Sequence, residues 1–109
     1  MIHPEHNQAQ SLSSEAALLK AAGHTKRAAE LYRVAAEHER IALAAVPPDQ
    51  LRWMGVLAVS LAALEFKGGN LEAAAETCLR YLGRTDLPDF ARAQLEEILR
   101  AASTPSTVS

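Results

Sequence analysis

Apolar residues return at steps of three and four along most of the chain, and glycines or prolines interrupt that rhythm, dividing the sequence into five helical segments. In the first, Ala9, Leu12, Ala16, Leu19 and Ala22 mark one face, and Gly23 supplies the stop. Its beginning has two readings: Pro4 in the first helical position after His3, or a shorter helix capped by Ser11, Ser13 or Ser14. The expected start is near residue 10, with residues 1–9 as a flexible arm. Thr25 is the expected cap of the second helix, whose stripe of Ala28, Leu31, Tyr32, Ala35, Ala42 and Val46 ends at Pro47-Pro48. Its outer face carries Lys26/Glu30, Glu30/Arg33 and Arg33/Glu37 at ion-pair spacings, each pair contributing roughly 0.2–0.5 kcal/mol.

Pro48 and Asp49 open a third helix, Leu51 to Lys67, that is apolar almost all round. Such a helix is covered on most sides, either as the central element of a small domain or as part of an oligomer interface. After the Gly68-Gly69 break, Asn70 caps a fourth helix running from Leu71 to Leu82 and closing at Gly83, which pairs with the third as a hairpin. Asp86 begins a fifth, with Pro88 and Asp89 in its first turn and Phe90, Ala91, Leu95, Ile98, Leu99 and Ala102 as its buried stripe. Residues 103–109 are too polar to repay the entropy of ordering and are expected to be disordered. The expected fold is therefore all-α: two antiparallel helical hairpins and a C-terminal capping helix, as a single domain over residues 10–102.

Composition strengthens that picture. Twenty-two alanines and fifteen leucines stand against only five aromatic residues in 109, a balance that favours close-packed helices over a sheet. The formal net charge of -2 excludes the broad basic footprint of a nucleic-acid binder. Trp53 to Leu64 is the longest charge-free apolar stretch at 12 residues; a membrane span needs about 20, so no membrane partner is expected. Cys78 is alone, which rules out an intrachain disulfide, and the N-terminus lacks the basic and apolar regions of a signal peptide. The expected location is the cytoplasm.

An internal repeat connects the hairpins. Gly-His-Thr-Lys-Arg-Ala-Ala-Glu-Leu-Tyr-Arg-Val-Ala-Ala after Ala22 returns in outline as Gly-Asn-Leu-Glu-Ala-Ala-Ala-Glu-Thr-Cys-Leu-Arg-Tyr-Leu after Gly68. In the first unit Leu12, Ala16 and Leu19, then Gly23, then Ala28, Tyr32 and Ala35 resemble the packing positions of the tetratricopeptide repeat. In the second, Ala62, Gly69, Leu71, Ala74 and Cys78 fit that pattern, while Tyr81 stands where the family prefers a small residue and Phe66 is one place out of register. The glycine turns are 46 residues apart, against a family period of about 34, so helix two and the Pro-Pro loop carry the extra length. The resemblance covers residues 10–82 and implies a right-handed stack that binds a peptide or helix in a groove lined by the first helix of each hairpin.

On that implication, Arg52, Val56, Ser60, Ala63 and Lys67 form one stripe along the third helix, and Lys20 joins it from the first. Positive charge at both ends of a floor of small residues suits an acidic or carboxylate-ended segment. Lys26 and Arg27, in the first turn of the second helix, oppose the helix dipole and are a secondary candidate for an anionic partner. Trp53 reads as a core anchor and Cys78 as a small buried hydrophobe. The histidines at 3, 6, 24 and 38 have no metal-ligand spacing. No phosphate loop, nucleophile elbow or isolated carboxylate pair marks an enzyme, and no cofactor is implied. The expected function is a non-enzymatic adaptor that binds another protein. The alternative is a homo-oligomeric assembly piece, a homodimer through the apolar third or fifth helix, and a small helical enzyme or ligand-binding bundle with its pocket near His24, Tyr32 and His38 is a third reading.

Overall fold

The computed structural model describes residues 3–104, and two glycine turns set its architecture. Gly23 and Gly69 have φ of +91° and +81°, the left-handed region that a side chain makes costly. The N–H of His24 donates to the Leu19 carbonyl at 2.8 Å, and that of Asn70 donates to the Glu65 carbonyl at 2.9 Å. The N–H groups of Gly23 and Gly69 likewise donate to Lys20 and Phe66, each at 3.0 Å. The same closure therefore recurs 46 residues on, so the repeat seen in the sequence is a repeat of hydrogen bonds.

These turns fold α1 (Pro4–Ala21) against α2 (Thr25–Ala44), and α3 (Leu51–Lys67) against α4 (Leu71–Leu82). The hairpins meet where α2 packs on α3, and α5 (Asp89–Ser103) closes the second hairpin by packing on both α3 and α4. The protein is all-helical among the described residues, two hairpins and a fifth helix, as the pattern predicts.

Four boundaries differ from expectation. The first helix begins at Pro4, so residues 4–9 are its opening turns rather than a flexible arm. His3 is the cap: its Nδ1 accepts from the Glu5 N–H at 3.1 Å, and the buried His6 and Ala9 give the segment a packed face. Thr25 lies inside α2, whose cap is His24 and provides no side-chain hydrogen bond. Pro88 caps α5, leaving Asp86 in the preceding loop, where its Oδ2 accepts from Arg84 Nη2 at 2.9 Å. At the other end Ser103 still belongs to α5, and residues 105–109 of the expected disordered tail lie outside the described residues.

Small residues bring the helices close. Ala16, Ala35, Ala58, Ala62 and Ala74 have no exposed surface, with Leu57, Leu61, Leu64 and Leu95 filling the space around them. Gly55 marks a close approach between α3 and α5, since a Cβ there would stand 2.8 Å from the Ala91 Cβ.

The expected ion pairs along α2 are not formed, and Arg33, a member of two of them, goes instead to an unpaired carbonyl at a helix end. Arg33 Nε donates to the Gly68 carbonyl at 2.7 Å across the hairpin interface, and Arg92 Nη1 donates to the Leu82 carbonyl at 3.1 Å. Glu37 pairs instead with Arg40.

Candidate functional site

The apolar third helix has one covered face and one open face. Met54, Gly55, Leu57, Ala58, Leu61, Ala62, Leu64 and Glu65 are buried against α2, α4 and α5. Arg52, Trp53, Val56, Val59, Ser60, Ala63, Phe66 and Lys67 lie on the other side, half-buried or exposed. An element expected to be covered on most sides thus keeps Trp53 and Phe66 each 36% exposed. Trp53 is not the core anchor its type predicts; it is a wall of the open face. Tyr32 and Cys78, by contrast, are buried.

The expected stripe divides within this face. The Arg52 guanidinium sits over the Phe90 ring of α5, 5.3 Å from its centre, and Lys67 Nζ sits 5.6 Å from the centre of the Tyr32 ring of α2. Neither forms an ion pair among the described residues, and neither does Lys20 on the last turn of α1. Val56 and Ala63 are half-buried between the two charges. Ser60 departs from the expectation: its hydroxyl donates to Glu39 of α2, so it holds the hairpins together instead of facing a partner. Lys26 and Arg27 are exposed in a first turn that contains no acidic residue.

Beside the stripe lies a buried polar group that the sequence reading passed over. Glu39 has no exposed surface, and its carboxylate accepts from Ser60 and from His6 Nδ1 at 2.7 and 3.0 Å. The Glu39 carboxylate therefore ties α1, α2 and α3 together at one point. Glu5 and His38 form a second, crossed pair one position along each helix. A signal for both existed. Residues equidistant from a turn face each other across an antiparallel hairpin, and His6 and Glu39 lie 17 and 16 residues from Gly23. A second buried carboxylate, Glu65, accepts from Thr77 at 2.6 Å and Arg40 at 2.8 Å, joining α2, α3 and α4.

The first of these networks borders a cleft of about 170 Å³ between the start of α1 and the start of α3. Pro4, His6, Ala45, Val46, Trp53 and Leu57 line it, and the His6 and Trp53 rings meet edge to face at 6.2 Å. The expected grouping of His24, Tyr32 and His38 does not exist: His24 is an exposed cap, His38 is paired with Glu5, and Tyr32 is buried. His3 and His6, expected in a loose arm, are a helix cap and a buried anchor.

Burial pushes the Cys78 thiol up to about 11, with the nearby Glu65 charge adding to the shift. A group so protonated at neutral pH is a packing residue and not a nucleophile. Among the described residues no three His, Cys, Asp or Glu side chains group closely enough to hold a metal ion, and no helix is long and apolar enough to cross a membrane.

Compared with protein-family models, curated proteins and solved structures, the chain matches none.

Proposed function

We propose that this chain is a non-enzymatic interaction module, a tetratricopeptide-like stack that receives a segment of another protein along the open face of α3. One observation carries the reading: an apolar face with Trp53, Val56, Val59 and Phe66 accessible is bounded by two cations, Arg52 and Lys67, that have aromatic rings beneath them and no ion pair among the described residues. Aromatic and arginine side chains in this arrangement are common anchors of protein interfaces. Positive charge at both ends suits an acidic or carboxylate-ended segment, with Lys20 as a further cation on the last turn of α1. Ser60 is set aside for its role in holding Glu39. The reading places the protein in the cytoplasm, with no cofactor and no nucleic-acid or membrane partner.

The test is a pull-down of cellular proteins with the wild-type chain and with an Arg52→Glu/Lys67→Glu double variant. The variant retains its helicity and loses the partner; undiminished recovery removes the groove assignment. The exposed Trp53 and Phe66 also favour a second reading, a homodimer formed through α3. Light scattering separates the two, since a strict monomer at high micromolar concentration excludes the dimer.

A further inference from the structure

We propose that the cleft between the first turn of α1 and Trp53 is a binding site for a single aromatic ring bearing a hydroxyl group, a small phenol. Size comes first. The cleft holds about 170 Å³, and an apolar cavity of about 150 Å³ is enough to take up benzene. Its walls are largely apolar: Pro4 from α1, Ala45, Val46 and Pro47 at the end of α2, and Trp53 and Leu57 from α3.

His3, Gln50 and His6 are the polar lining of the cleft; His3 Nδ1 is taken up by the Glu5 N–H, and at His6 hydrogen bonding fixes what the ring offers. Its Nδ1 faces both oxygens of Glu39, and a carboxylate has only lone pairs to give, so Nδ1 donates its proton to Glu39. In the neutral ring Nε2 is then an acceptor. Among the described residues Nε2 makes no hydrogen bond, and none of their buried side-chain nitrogens or oxygens is left without a partner. That nitrogen therefore meets open space, and the open space beside His6 is the cleft. In its neutral form His6, a residue 8% exposed and oriented by a carboxylate with no exposure at all, presents one lone pair at the edge of the cleft. A matching ligand fills the volume with a ring and places one O–H donor against Nε2. The pair His6 and Glu39 resembles an oriented base, but no nucleophile lines the cleft, so the assignment is binding alone. It shares Trp53 with the interaction reading but uses neither Arg52 nor Lys67, drawing its other walls from the end of α2 and the start of α1.

The test uses the whole chain. Trp53 is the only tryptophan and forms part of the wall, so its fluorescence reports occupancy, with the His6 Nε2 nitrogen shift reporting the hydrogen bond. Titration with 4-methylphenol is expected to saturate, with affinity roughly threefold to tenfold above that for toluene, the range of one net hydrogen bond. The Nε2 resonance shifts with 4-methylphenol and not with toluene. Ala45→Phe, at an exposed position on the cleft wall, fills the space with a ring and weakens binding at least about tenfold while helicity is unchanged. N-acetyltyrosinamide carries the same ring on a peptide unit: affinity equal to 4-methylphenol supports a site open to a tyrosine side chain, and weaker binding supports a free phenol. Equal affinities for 4-methylphenol and toluene, a response that never saturates, or undiminished binding to the Ala45→Phe variant overturns the proposal.

Discussion

His6 Nδ1 lies 2.7 Å from Oε1 of Glu39, a side chain with no exposed surface, so the first turns of α1 are anchored to the interior through a charged residue of α2. Taking a carboxylate out of water is costly, and the cost is met only while its hydrogen-bond partners are present. His6→Ala removes one partner and leaves Ser60 alone with the charge. A loss of about 3 kcal/mol in urea unfolding is expected, against about 1 kcal/mol for Glu39→Gln, which removes the charge itself. Deleting residues 1–9 is expected to cost at least as much as His6→Ala; an unchanged midpoint would return that segment to the role of an arm.

Gly55 is where α5 crosses α3. A Cβ there meets the Ala91 Cβ at 2.8 Å and Pro88 Cδ at 3.3 Å, atoms tied to backbone and a ring that no rotamer change can move aside. Gly55→Ala therefore pushes α5 outward and costs about 1–3 kcal/mol, despite the usual preference of helices for alanine. Thermal or denaturant melting measures the loss, and a stabilised variant would show that α5 does not pack there.

Positive charge at the start of α2 opposes the helix dipole. With His24 giving no cap bond and no acidic residue in the first turn, Lys26→Glu is expected to stabilise the protein by at most about 0.5 kcal/mol at low salt, the dipole gain being partly offset by the like charge of Glu30 four residues on. The gain shrinks as ionic strength rises. A destabilised Lys26→Glu variant would assign Lys26 a contact within the fold.

The Cys78 thiol has no exposed surface, and its proton is held up to about 11. Alkylation of the native chain at pH 8 is expected to run at least about 100-fold slower than in urea, combining low thiolate fraction with exclusion of the reagent. The sign of the linked stability follows. Below the ordinary value of 9.0 both states keep the proton and nothing changes; between 9.0 and about 11 the unfolded chain releases it first, so stability falls as pH rises through that window. Cys78→Ala removes this thiol-linked part of the alkaline loss, which comparison of the two unfolding curves measures.

Much of this architecture was legible in the chain because local chemistry encodes it. Asn70 caps α4 with its Oδ1 accepting from the Ala73 N–H, and Gly23 and Gly69 take up left-handed conformations that few other residues tolerate. What escaped a linear reading depends on partners far apart in sequence. Nothing near His6 distinguishes a frayed end from a packed turn, since Glu39 supplies the difference. Ser60 sits in the right register for a groove and is diverted by the same carboxylate. Arg33 has good helical ion-pair spacing to Glu30 and Glu37, yet the carbonyl of Gly68 receives its Nε. Arg52 and Lys67 were visible as a charged frame, whereas Phe90 and Tyr32 beneath them required the fold.

Site-specific photocrosslinking from position 56, at the middle of the open face, tests the interaction reading most directly, with position 30 on the exposed side of α2 as the control. A photoreactive residue at Val56 is expected to capture another protein that Glu30 does not, and capture is lost when Arg52 and Lys67 are both made Glu. Crosslinks that arise equally from both positions, or only to a second copy of this chain, contradict the account.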